Sequence, residues 1–264
     1  MKVFEKLLEI QKKNNSLLCI GLDPQLEKLP EGIQRNTFGI LEFNKLIIEN
    51  TKKFVCAYKL NFAFYEQFGS EGFDLLEKTV ELIPNEIVKI ADGKRGDIGS
   101  TSQAYAKSIF QHFGFDCATL NPLMGVDSLT PFFEFDDKLN FVLACTSNPG
   151  ASDFQKLRID NRFFYELIIE KFTDNFTKEQ LGFVVGATNE LEFQSIREKV
   201  VDNFLLVPGI GTQGGNLARI LEINRNRNII INVSRDIIFA SKEKNFIEKV
   251  IEKTLYYRNQ LQVV

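Results

Sequence analysis

Eight short apolar runs, each followed by a longer amphipathic stretch, constrain this chain more than any other feature of its sequence. The runs cover residues 17–22, 55–60, 87–91, 117–120, 141–145, 183–185, 204–207 and 229–233. Helical patterns fill the intervals at 41–52, 65–82, 101–113, about 128–133, 162–172, 190–199, 217–224 and 242–259. Within the second of these, Phe73, Leu76, Val80 and Ile83 recur on one helical face. Apolar strands alternating strictly with helices predict a parallel sheet covered by helices. Eight such units in 264 residues fit an α/β fold, a single (β/α)8 TIM barrel spanning 1–264 as one domain. No Pro/Gly/Ser-rich linker divides the chain. No GxGxxG follows the first strand, which disfavours an open doubly wound sheet.

Charge and residue usage narrow the function classes. The net charge of −3 offers no basic field for nucleic acid or an anionic membrane, so any anion site must be local. No apolar run approaches the roughly 20 residues of a membrane span. The first ten residues read as an acid-containing amphipathic helix rather than a signal peptide, and a cytoplasmic location is expected. Cys19, Cys56, Cys117 and Cys145 are far apart, each inside an apolar run, and read as buried small hydrophobes rather than zinc ligands. His112 is the one histidine. Alone near a helix end, it gives little scope for a Ser-His-Asp or Cys-His mechanism and none for a multi-histidine metal site.

In such a barrel, chemistry gathers where strands end and βα loops begin. The first strand ends Gly21-Leu22-Asp23-Pro24 and the second Tyr58-Lys59-Leu60-Asn61, with Lys59 and Asn61 on one face by the period of two. The third ends with Asp92, Lys94 and Asp97, after which Ser100 reads as a helix N-cap. The fifth ends Thr146-Ser147-Asn148-Pro149-Gly150. The seventh ends Pro208-Gly209-Ile210-Gly211-Thr212-Gln213-Gly214-Gly215, and the eighth Ser234-Arg235-Asp236. Taken singly, Arg-Gly-Asp is turn material and Lys59 a snorkelling surface lysine. Their recurrence at one rim favours a site.

That rim has two ends. Four glycines in the eight residues 208–215, leading into a helix start, favour an anion through exposed N–H groups. Arg235 adds a fork suited to phosphate oxygens. At the other end, Lys59, Asp92, Lys94 and Asp97 can alternate in charge, which makes their burial tolerable. A held ammonium beside an apolar floor stabilises a developing carbanion and can then protonate it. Such a pair of ends suits loss of CO2, or proton transfer, on a phosphorylated small molecule.

The combination Gly21-Leu22-Asp23-Pro24, Lys59-x-Asn61, Asp92-x-Lys94-Arg95-x-Asp97-Ile98, Asn121-Pro122-Leu123-Met124-Gly125-x-Asp127-Ser128, the segment 146–150, Pro208-Gly209-Ile210-Gly211-x-Gln213-Gly214-Gly215 and Ser234-Arg235 resembles the orotidine 5′-phosphate decarboxylases, in the longer, type 2 subgroup. The resemblance spans nearly the whole chain. It implies a lyase of pyrimidine biosynthesis that converts orotidine 5′-phosphate to UMP and CO2 without metal or cofactor. Lys94 would protonate C6, Asp92 would face the substrate carboxylate, and Lys59 and Asp97 would complete a charged tetrad. Asp23, Lys59 and Thr101 would hold ribose hydroxyls, with Asn61 beside them on the second strand. Ser147 and Gln213 would contact the base, Gln213 and Arg235 the phosphate, and 208–215 would close as a lid from Pro208. It further implies a homodimer with Asp97 and Thr101 reaching into the partner's site. The rivals are a metal-dependent sugar-phosphate enzyme of the same fold, with a Glu where Lys59 stands, and a nucleotide-binding barrel without activity.

Overall fold

The eight apolar runs form eight strands because a strand covered on both faces has no position left for a solvated side chain. In the computed structural model, which describes residues 1–188, 190–210 and 216–263, these are β1 (Leu18–Gly21), β2 (Ala57–Asn61), β3 (Val88–Arg95), β4 (Cys117–Leu120), β5 (Leu139–Cys145), β6 (Leu181–Val185), β7 (Leu205–Val207) and β8 (Ile229–Val233). β1, β4, β6, β7 and β8 are buried along their whole length. Each strand pairs in parallel with its sequence neighbours, and β8 returns to β1 with Leu18 opposite Ile231, closing the barrel. The fold is thus a (β/α)8 barrel. Asn61 of β2 lies opposite Asp92 of β3, so the two strands deliver their polar ends at one height.

The opposite end of the barrel is plugged. The helix Val3–Asn14 lies there, with the Lys6 ammonium 2.7 Å from Asp116 and the Gln11 amide donating to the Ile229 carbonyl. Phe4 meets Phe204 edge to face. Among the described residues, the C-terminal rim is left open for a ligand.

Local chemistry moves several boundaries from their expected places. The stretch 65–82 is two helices, Ala63–Glu66 and Gly69–Leu82, because Gly69 turns the chain at φ +60. Leu76, Val80 and Ile83 are buried as its periodicity predicts, whereas Phe73 is half-exposed and stacks on Phe113. Ser100 does not cap a helix. The helix Gly99–Lys107 starts two residues earlier with Ile98 at the N-cap, and Asp97 accepts the Ile98 N–H. Residues 108–112 continue it as a π turn. The region 151–180 contains a short antiparallel ribbon, Arg158–Ile159 with Arg162–Phe163. Asp160 and Asn161 connect it, both at positive φ, as a two-residue hairpin turn demands. The helix Phe164–Thr173 follows.

Candidate active site

At the open rim lies a cleft of about 310 Å3, within the range of small-molecule sites. Asp23 follows β1, β2 contributes Lys59 and Asn61, and β3 Asp92 and Lys94; Thr146, Ser147 and Asn148 follow β5, Pro208 follows β7, and Ser234 and Arg235 follow β8. Leu143, Val184 and Leu206 supply an apolar wall, one each from β5, β6 and β7. Charge therefore lies on one side of the cleft and hydrocarbon on the other. Gly186 lets the rim close here, since a Cβ would stand 2.5 Å from the Ser147 nitrogen.

The charged side is a chain of alternating sign. Asp92 Oδ2 is 2.7 Å from Lys59 Nζ, and Asp92 Oδ1 is 2.6 Å from Lys94 Nζ. Lys59 Nζ also stands 3.9 Å from Asp23 Oδ1. Lys59 and Asp92 are buried; the Lys94 side chain is 46 % exposed, its ammonium turned into the open cleft. Burial drives the Asp92 carboxyl up, but Lys59 and Lys94 with their hydrogen bonds overcome it and hold the group well below the usual carboxylate range. Burial likewise drives the Lys59 ammonium down, and Asp23 and Asp92 more than restore it, leaving it above the ordinary lysine value. Asp92 and Lys59 thus help to keep each other charged. One atom lacks a partner: Asp23 Oδ1 is buried without a hydrogen bond among the described residues. A buried acceptor of this kind, lining a cleft, suits a hydroxyl donor on a ligand.

The sequence-predicted residues divide into three groups. Asp23, Lys59, Asn61, Asp92, Lys94, Ser147, Pro208 and Arg235 line the cleft together. Asp97 and Thr101 do not line it. Asp97 is half-buried beside it and accepts its neighbour's N–H, while Thr101 is exposed on the following helix. Within one chain, the acid that continues the alternation is Asp23, not Asp97. Gln213 and the glycines at 211, 214 and 215 lie outside the described residues, and with them most of the expected lid.

Sequence reasoning missed Thr119 and Asn232, both in the cleft. Their signal was a polar residue inside an apolar strand, tolerated only where it has a partner. Thr119 donates to Asp92 Oδ1 at 2.9 Å, and Asn232 accepts the Cys19 thiol at 3.5 Å. The other nucleophiles are placed poorly for catalysis. All four cysteines are buried, with burial pushing Cys56 up to about 12 and Cys145 up to about 11. His112 is exposed against Phe113, away from the cleft. Among the described residues, no cluster of three His, Cys, Asp or Glu could hold a metal ion, and no helix is long and apolar enough to cross a membrane.

Comparison with known proteins agrees with this geometry. The profile of the orotidine 5′-phosphate decarboxylase / HUMPS family matches residues 16–250. An orotidine 5′-phosphate decarboxylase of Dehalococcoides mccartyi (strain CBDB1) is 42 % identical over 99 % of this chain and 97 % of its own length. One from Herpetosiphon aurantiacus is 45 % identical over 92 % of each chain. Among solved structures, the OMP decarboxylase of Leishmania donovani superposes with a TM-score of 0.84 at 35 % identity, covering 98 % of this chain and 99 % of that one.

Proposed function

Since the chain belongs to the orotidine 5′-phosphate decarboxylase / HUMPS family, we propose that it forms one decarboxylase domain and converts orotidine 5′-phosphate to UMP and CO2 in pyrimidine synthesis. The observation that carries the reading is the Lys94 ammonium, held 2.6 Å from Asp92 at the mouth of a cleft walled by Leu143, Val184 and Leu206. The C6–CO2 bond breaks and leaves its electron pair on C6. The Lys94 ammonium stabilises that charge and then donates a proton to C6. CO2 departs towards the apolar wall of Leu143, Val184 and Leu206. Asp92 faces the substrate carboxylate and fixes both lysines. Asp23 and Lys59 receive ribose hydroxyls, with Asn61 beside them, Ser147 meets the base, and Arg235, with Gln213 from the lid that begins at Pro208, binds the phosphate.

Lys59 also separates this reading from a metal-dependent sugar-phosphate enzyme, because an ammonium at the end of β2 repels a divalent cation from the place where that chemistry would hold one. Purified protein mixed with orotidine 5′-phosphate in excess EDTA should show the absorbance fall of decarboxylation at the rate seen without chelator. Activity lost to EDTA favours the metal enzyme; UMP binding with no CO2 released favours a sensor. Arg235→Ala should raise KM for orotidine 5′-phosphate by roughly 10- to 100-fold, the loss of one charge-assisted pair at about 1.5–3 kcal/mol. An unchanged KM would remove Arg235 from the phosphate site. Part of the loss can fall on kcat, since remote binding energy is usable at the reacting centre.

The active form in this proposal is a cytoplasmic homodimer in which Asp97 and Thr101 enter the partner's cleft. Support comes from the exposed apolar residues on the loops around Asp97: Ile98, Leu123 and Met124 are 59 %, 73 % and 50 % exposed. Mixing an Asp97→Ala variant with a Lys94→Ala variant then rebuilds one complete site in each hybrid. Activity should recover to about a quarter of wild type, as random pairing of a two-fold dimer gives. No recovery after subunit exchange would place both residues in the same site or neither.

A further inference from the structure

We infer that Thr119 is a positioning residue for the decarboxylation: its hydroxyl fixes the catalytic lysine and its carboxylate partner in one geometry. The inference rests on the decarboxylase reading above, in which Lys94 and Asp92 act on the substrate.

The reason lies in the pairing of β3 with β4. Ala91 is opposite Ala118, and Arg95 is opposite Leu120. Three residues of β3, Asp92, Gly93 and Lys94, therefore face one residue of β4, Thr119. Such a bulge interrupts the ladder and re-aims the side chains it carries. Lys94, within it, has φ +47, a left-handed conformation in which a residue with a Cβ is strained. A backbone held there needs a partner for its N–H, and the interrupted ladder does not supply one.

Thr119 supplies it. The Lys94 N–H donates to Thr119 Oγ1 at 3.0 Å. The same oxygen donates its own proton to Asp92 Oδ1 at 2.9 Å, and that carboxylate oxygen also receives the Lys94 ammonium at 2.6 Å. The result is a closed ring: Lys94 backbone to Thr119, Thr119 to Asp92, Asp92 back to the Lys94 side chain. Because the hydroxyl accepts from Lys94, its proton is directed at Asp92. Thr119 is 2 % exposed, so water does not readily replace it. Only a residue with a donor and an acceptor on one small atom completes this ring. Valine has the same shape and neither function.

The test compares Thr119→Val and Thr119→Ser. Thr119→Val should lower kcat by about 10- to 100-fold, the size expected when reacting groups are displaced. The dissociation constant for UMP should stay within about threefold, since binding does not use the lysine's proton. Thr119→Ser keeps the hydroxyl and should return kcat to within about threefold of wild type by the same argument. Should Thr119→Val not fold, Thr119→Ala carries the same comparison, its methyl having neither donor nor acceptor. Wild-type kcat in Thr119→Val, or in Thr119→Ala where that variant is used, overturns the inference, as does an equal loss in Thr119→Ser. So does a loss that appears as weakened UMP binding. If wild-type protein releases no CO2 from orotidine 5′-phosphate, the decarboxylase reading fails and this inference with it; if it does and the variants match it, only the role of Thr119 fails.

Discussion

Lys94→Ala should lower turnover of orotidine 5′-phosphate by roughly 10⁴- to 10⁷-fold, the product of a lost general acid and a lost electrostatic stabiliser. Binding of UMP should change by less than about threefold, because the product carries no charge at C6 for the ammonium to neutralise. The variant should fold. Lys94 is half-exposed, and Asp92 keeps Lys59 at 2.7 Å and the Thr119 hydroxyl at 2.9 Å after the truncation. A single-turnover assay alongside a UMP titration separates the two quantities. A variant within about tenfold of wild type would remove Lys94 from the chemistry, since a positioned acid alone contributes more than that.

What the sequence made legible follows the physics of each element. A strand buried on both faces must be an apolar run, so all eight were readable, to within four residues at their ends. The order of the barrel then followed from alternation. Breaks inside helices depend on single backbone angles, such as that of Gly69, and were not readable from periodicity. The charged cluster was readable in its core, and Asp97 stands outside its own chain's cleft for one reason. Period-two alternation carries Asp92 and Lys94 to a common partner, but the bulge at 92–94 ends that period. Asp97, three residues beyond, is consequently turned out of its own chain's cleft. Its place in the array goes to Asp23, which sequence places 36 residues before Lys59 and the barrel places 3.9 Å away. Arg197 was invisible for the opposite reason. On a helix it reads as a solvated charge, yet it is buried and binds the carbonyls of Val201, Asn203 and Asn228. Burial, with Arg227 nearby, pushes it down to about 10.

Asp92→Asn tests whether the central acid holds the cluster together or strains the substrate. For stability, the amide leaves Asp23, at 3.9 Å, as the one carboxylate paired with the buried Lys59 ammonium among the described residues, so about 3–5 kcal/mol should be lost at pH 7. The sign of its pH dependence is fixed. The Asp92 carboxyl lies lower in the folded chain than its unfolded value near 3.9, so its contribution is present above about pH 4 and fades as pH falls through the folded value. Lys59 is raised, so its share persists until pH climbs past about 10.4 and through its folded value. Urea unfolding of wild type and variant should therefore differ by a constant amount between about pH 5 and 9 and converge in acid. A difference that grows in acid would mean that Asp92 is not held ionised by the two lysines. For catalysis the two roles part company. If Asp92 only orders Lys59 and Lys94, Asp92→Asn lowers kcat and leaves KM near wild type. If its charge opposes the substrate carboxylate, removing that charge lowers kcat and KM together, because ground-state strain is relieved. Both Asp92 oxygens are already engaged by Lys59, Lys94 and Thr119. An anion so fully compensated repels weakly, so the expected result is a loss confined to kcat.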